Sequence, residues 1–275
     1  MHRMPPQGRL PVRIQRGYAM THTIAVAGKG GVGKTTTCGM IIDRLIKEKK
    51  TPILVVDADA NSNLNEVLGV EVDTTLGDIR EEIAHAELAK ENPIPPGMSK
   101  ADYMEMKFSR ALIEEDDYDM LVMGRTQGKG CYCFVNGLLK TQLDKYIGNY
   151  RYTVIDNEAG LEYIARGTLP HVDTLLLVSD CSRRGIQAVA RIAEMVDELG
   201  LKPGKMGLIV NRAPNGVLNA GVREEIEKHG LTLFGVLPQD ETVYEYDCEG
   251  KPSSQVPESA PVKQALAGIM NRLNL

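Results

Sequence analysis

From Thr23 onward the chain alternates short apolar runs with longer stretches whose apolar positions recur at helical spacing. The runs TIAVA from Thr23 and PILVV from Pro52 flank a helical stretch from Lys34 to Lys49. Further strands are expected at Asp119–Met123, Tyr152–Ile155, Thr174–Val178, Met206–Val210 and Leu231–Leu237, with helices at Arg184–Leu199 and Val217–His229. Strands separated by helices imply right-handed crossovers. The pattern therefore predicts one α/β domain over residues 20–275: a doubly wound, mostly parallel sheet with helices on both faces. The stretch Lys90–Arg110, with its prolines and mixed Met and Lys, breaks the alternation and reads as an excursion over the surface. Residues 1–19 carry Arg3, Arg9, Arg13 and Arg16, three prolines and no acid. Without apolar core or helical period they are expected to be a disordered tail, or an extension ahead of a start at Met20.

Composition narrows the class. A chain of 275 residues with 25% charged and 5% aromatic side chains suits a single soluble enzyme domain. The net charge of −5 does not favour a nucleic-acid partner. The 5 cysteines, an odd number without a disulfide framework, read as reduced thiols of a cytoplasmic protein. No run of about 18 apolar residues is present, so no membrane span is expected.

The first strand runs directly into Gly28, Lys29, Gly30, Gly31, Val32, Gly33, Lys34, Thr35 and Thr36. Gly28-x-x-x-x-Gly33-Lys34-Thr35 meets the Walker A template between a strand and a helix. The glycines let backbone N–H groups converge on phosphates at a helix N-terminus, where the dipole favours anions. Lys34 is expected at the β- and γ-phosphates of ATP, and at the β-phosphate of ADP. Thr35 is expected on Mg²⁺. Acidic residues follow at strand ends: Asp57 and Asp59 within DADANSN, and Asp156 within DNEAG. Asp59 suits positioning of the attacking water, Asp156 the Walker B role, and Asp57 a supporting carboxylate on the Mg²⁺ side.

A second informative segment, Gly124 to Asn136, reads GRTQGKGCYCFVN and holds Cys131 and Cys133 between an expected strand and an expected helix. A helix N-terminus lowers thiol pKa and favours the thiolate that metals need. Two sulfurs do not complete a site, but a symmetric dimer supplies four. From spacing alone the pair also reads as buried small residues or a redox pair. Cys38, Cys181 and Cys248 stand singly and read as packing residues.

The loop GKGGVGKTT, with Lys29 ahead of the usual lysine, resembles the deviant Walker A motif of the MinD/nitrogenase-iron-protein class. That resemblance implies a MinD/ParA-like P-loop fold in which Lys29 crosses a dimer interface to the partner's nucleotide. It also implies adenine contacts from Asn211 and Arg212, and from the later loop containing Pro238. With DADANSNL, the Cys-x-Cys segment and DNEAG added, the chain resembles the CooC family of nickel-insertion ATPases from about Thr23 to its C-terminus. This implies a homodimer that holds Ni²⁺ or Zn²⁺ through Cys131 and Cys133. It further implies ATP hydrolysis in support of nickel insertion into carbon monoxide dehydrogenase. Ala60 stands where that family's pattern has proline. Other readings stay open: an iron–sulfur electron-transfer ATPase, a MinD- or ParA-like spatial regulator, or a nucleotide binder without turnover. A regulator of that kind would call for a basic amphipathic tail, and residues 261–275 offer only Lys263 and Arg272 as cations.

Overall fold

A computed structural model describes residues 21–61, 63–90, 92–125, 133–158 and 171–275. The expected apolar runs form strands β1 (His22–Gly28), β2 (Ile53–Ala58), β4 (Tyr118–Val122), β5 (Tyr152–Asn157), β6 (Thr174–Asp180), β7 (Lys205–Ala213) and β8 (Leu233–Pro238). A short β3 (Ile113–Glu114) joins them at one edge. The 8-stranded sheet has the order β3-β4-β2-β5-β1-β6-β7-β8. Its pairings are parallel except β3 with β4.

Strand residues point alternately to opposite faces, and helices cover both. Ile24 and Val26 of β1 face the layer of α1 (Lys34–Lys47), α2 (Leu64–Leu68) and the C-terminal helix 261–273. Ala25 and Ala27 face α3 (Leu76–Leu88), α4 (Lys100–Ala111), α5 (Cys133–Tyr146), α6 (Arg183–Glu198) and α7 (Ala220–Lys228). In α1, Cys38, Ile41, Ile42 and Leu45 form one buried stripe at helical spacing. In α6 the buried stripe is Ile186, Val189, Ala190, Ala193 and Val196. Its N-terminus is capped by Ser182, whose hydroxyl accepts from the Gly185 amide at 3.0 Å. Two further helices follow: α8 (Glu241–Cys248) and α9 (Pro261–Leu273). Among the described residues no helix is long and apolar enough to cross a membrane.

Three expectations are revised. The stretch Lys90–Arg110 is not simply a surface excursion, because its second half is α4. Ser99 caps that helix by accepting from the Asp102 amide at 3.1 Å, and Tyr103, Phe108 and Ala111 are buried. The charged and polar residues between them had masked the apolar stripe. The helix expected from Val217 begins only at Ala220, where the Asn219 side chain accepts from the Val222 amide at 2.9 Å. Cys248 is exposed rather than a packing residue, while Cys38 is buried. The expected N-terminal tail lies outside the described residues.

Candidate functional site

β1 lies between β5, which continues the path set by β2 and β4, and β6, which opens the other half of the sheet. A crevice outside the C-terminal ends of parallel strands at such a reversal is where α/β sheets bind ligands. The loop from Gly28 to Gly33 occupies this place. A Cβ on Gly28 would overlap the Val178 carbonyl of β6, so the loop leaves the sheet at a point only glycine can occupy. Gly31 and Gly33 have φ values of 79° and 91°, which turn successive backbone amides towards one side.

The cavity above the loop has a volume of about 450 Å³. Gly30, Gly31, Gly33, Lys34, Thr35 and Thr36 line it, and Asp59, Glu158 and Arg212 close in from neighbouring strand ends. Lys34 is buried, with Nζ donating to the Lys29 carbonyl at 3.3 Å. Lys29 itself is exposed at the mouth of the loop, whereas Val32 is packed in the core.

The acidic residues divide into distinct roles. Asp156 of β5 is buried and receives hydrogen bonds from the Thr35 hydroxyl and the Cys38 thiol. Its Oδ1 has no partner in the protein. Asp57, its neighbour on β2, is also buried, but its carboxylate oxygens accept the Asp59 and Leu64 amides, each at 3.1 Å. Asp57 therefore ties down the turn that carries Asp59. Asp59 lines the cavity and accepts the Asn61 amide at 2.8 Å.

Asn211 lies on β7, next to the phosphate loop. Its Nδ2 donates to the Val32 carbonyl at 2.9 Å and its Oδ1 accepts the Arg212 amide at 2.9 Å, so the side chain braces the phosphate loop from β7. Arg212 adds a bond from Nη1 to the Gly31 carbonyl at 3.2 Å. Pro238 ends β8 and pairs with Ala213, outside the cavity lining. Several lining residues were not anticipated: Asn61, Asn63, Glu66, Val67, Asp247 and Lys251. The first two fall in the segment already singled out after β2. Asp247 and Lys251 carry no motif, and only the packing of α8 brings them here. Cys131 lies outside the described residues, and Cys133 is the first residue of α5.

The profile of the CobQ/CobB/MinD/ParA nucleotide binding domain matches residues 23–253. The chain belongs to this family. Among relatives of this MinD/ParA-type domain, an uncharacterized ATP-binding protein of Methanocaldococcus jannaschii is 41% identical over 91% of the chain and 97% of its own length. The carbon monoxide dehydrogenase accessory protein CooC of Rhodospirillum rubrum is 30% identical over 78% of the chain and 90% of its own length. Among solved structures, MinD from Pyrococcus horikoshii, complexed with Mg-ADP, superposes with a TM-score of 0.65. It covers 93% of this chain and 96% of its own, at 21% identity. The family is an ATP-binding ATPase class, and the fold is that of MinD and ParA.

The chemistry of the donor set fits Mg²⁺. A buried carboxylate oxygen without a protein partner stands beside the Thr35 hydroxyl, one residue along from Lys34. Burial raises Asp156 from 3.8 to about 6, although the Thr35 bond and the Lys34 charge oppose the shift. Burial raises Asp57 to about 7, against the pull of the Leu64 amide. A carboxyl with a raised folded pKa stabilises the fold fully below its unfolded value, and that contribution is lost as the pH rises through the folded value. Metal-free stability should therefore fall between about pH 4 and pH 7. Asp156→Asn, neutral throughout, should reduce this fall and make the metal-free protein more stable at pH 8, by about 1–3 kcal/mol. Urea unfolding at pH 5 and pH 8 with a chelator present checks it. An unchanged pH dependence would refute the assignment of the strain to Asp156.

Proposed function

We propose that this chain is a homodimerising, Mg²⁺-dependent ATPase. Its cargo is nickel or zinc held by Cys131 and Cys133, and its role is nickel insertion into a client enzyme. Carbon monoxide dehydrogenase is the client suggested by the name of the Rhodospirillum rubrum relative. The observation that carries the reading is a shared sheet edge. The segment leading to Cys131 leaves the C-terminal end of β4, and β4 is parallel to β2, which carries Asp57 at its own C-terminal end. The Met123 amide donates to the Asp57 carbonyl at 2.9 Å, so the cysteine segment departs directly beside the turn of Asp59.

In this reading Lys34 and the loop amides hold the β- and γ-phosphates, and Thr35 with Asp156 holds Mg²⁺. When bound, that ion neutralises charge on the transferred phosphoryl group. Asp59 orients the attacking water. Lys29, exposed at the loop mouth, reaches the nucleotide of the partner subunit and draws the two copies together. Closure juxtaposes two Cys-x-Cys pairs and offers four sulfurs to one ion.

The test is metal stoichiometry after anaerobic equilibration with Ni²⁺. Wild type should bind one ion per two protomers, and the Cys131→Ser/Cys133→Ser variant should lose that ion while keeping most of its ATPase activity. Equal binding by both proteins, or none by either, would overturn the cargo reading. The competing reading is a spatial regulator, which the MinD-like fold supports. Against it, the apolar residues Val262, Leu266, Ile269, Met270 and Leu273 of α9 are built into the core, so this helix has no apolar side left for a lipid surface.

A further inference from the structure

The thiol of Cys38 lies in the first turns of α1, buried against the Asp156 carboxylate, and no role described above uses it. We infer that Cys38 is a positioning residue, whose S–H bond to Asp156 orients the carboxylate and keeps its unpartnered Oδ1 for the Mg²⁺ side; this rests on the proposed assignment of Mg²⁺ to Thr35 and Asp156.

The geometry supports it at both ends of the bond. Thr35 and Cys38 stand three residues apart on α1, a spacing that puts them on one helix face, and both donate to Asp156 of β5. Asp156 Oδ1 has no partner in the protein, so the two donors hold the carboxylate through its other oxygen. Cys38 and Asp156 are 0% and 1% exposed, so the contact is sealed from bulk solvent.

The two donors are not equivalent. A hydroxyl has one proton and two lone pairs, so Thr35 donates to Asp156 and still offers its oxygen to a cation. The thiol has no such second duty. It sits in the core with Val26, Ile41 and Ile42, outside the cavity lining. Burial, and after it the charges of Asp156 and Asp57, disfavour the thiolate, so Sγ keeps its proton and acts as the donor. A thiol is also a weak donor, so it orients the carboxylate while drawing little of its charge. Packing alone accounts for a small residue at position 38, but it accounts equally well for alanine. What distinguishes cysteine there is the proton it presents to Asp156.

The experiment isolates that proton. Cys38→Ala and Cys38→Ser remove nearly the same volume, but serine restores a donor. The probe is N-methylanthraniloyl-ADP, followed by its fluorescence. The quantity read is the Mg²⁺ concentration that produces half of the Mg²⁺-dependent tightening of its binding. Removing a hydrogen-bond partner behind a metal-ligating group typically costs about 10–100-fold in metal affinity. For a weak S–H donor the low end applies, so Cys38→Ala should need about tenfold more Mg²⁺ and Cys38→Ser less than about threefold more. In a chelator both variants should bind the probe as wild type does, because Cys38 does not line the cavity. A role in packing alone would lower Tm and shift the Mg²⁺ requirement alike in both variants, and that result would overturn the inference. A wild-type requirement in Cys38→Ala would overturn it too, as would an equal loss of probe binding with and without Mg²⁺. Asp156→Ala separates the two levels. If it raises the Mg²⁺ requirement and Cys38→Ala does not, the positioning role falls and the metal assignment stands. If Asp156→Ala leaves the requirement unchanged, the metal assignment falls and takes the positioning role with it.

Discussion

Lys34→Ala is expected to abolish ATP hydrolysis while leaving the fold intact. The ammonium sits at the cavity wall on the Lys29 carbonyl, 3.3 Å away, and its charge also acts on Asp156. It is a fixed positive charge placed before phosphate arrives, which is the kind of preorganisation that does most to stabilise developing charge. Losing one such group costs about 10²–10³ in kcat elsewhere, and a comparable loss is expected here. Stability should change little, because among the described residues its head group makes one hydrogen bond, to a carbonyl at 3.3 Å. Lys34→Arg should fail as well, since a planar fork does not replace a compact ammonium in a loop built around it. Phosphate release under saturating Mg·ATP, together with a melting curve, decides the matter. Turnover within tenfold of wild type would remove Lys34 from the chemistry.

Lys263→Ala should produce the largest loss of stability among single substitutions outside the apolar core. Lys263 of α9 donates to Asp43 of α1 at 2.7 Å and to Glu258 at 3.1 Å. The Lys263 and Asp43 side chains are only 5% and 8% exposed. Removing one partner of a buried pair leaves the other charge uncompensated, a cost of several kcal/mol. Lys47 remains 2.8 Å from Asp43 and softens the loss. A destabilisation of about 3 kcal/mol, near the low end for broken buried pairs, is therefore expected. For a chain of this size that corresponds to roughly 6–12 °C in Tm. The double variant Asp43→Leu/Lys263→Met should recover much of it, because a well-packed apolar pair replaces buried ions at little cost. Calorimetry of the single and double variants tests both statements. If Lys263→Ala melts within 2 °C of wild type, the pair is not a clamp on the C-terminal helix.

The identity of the strands and the place of the phosphate loop were legible in the sequence because both are local. A strand buried on two faces must be a continuous apolar run, and TIAVA and PILVV announce themselves without reference to any partner. The loop needs glycines where φ is positive and a lysine at a helix start, so its chemistry is written in consecutive positions. Asp59 and Asp156 stand out as candidates for the same reason, each following an apolar run at a strand end.

What the sequence left open concerns groups whose surroundings come from distant parts of the chain. Asp57 and Asp156 look alike as acids at the ends of strands. One is saturated by two backbone amides and the other keeps an oxygen without a partner, and only the turn to Leu64 separates them. The hydrogen bond from the Asn211 side chain to Val32, across 179 residues, is seen only once β7 stands near β1 with β6 between them. The helix within Lys90–Arg110 was hidden because Lys107, Glu105 and Ser109 interrupt its apolar positions. Its anchor Phe108 matters only once α3 and α5 provide something to pack against. Local pattern determined which segments are strands, which loop meets the phosphate-binding template and which cysteines stand close together in the chain. Tertiary structure alone decided which carboxylate keeps a buried oxygen without a partner and which amide braces the loop. Hydrogen-bond satisfaction and burial depend on neighbours that the chain brings from far away.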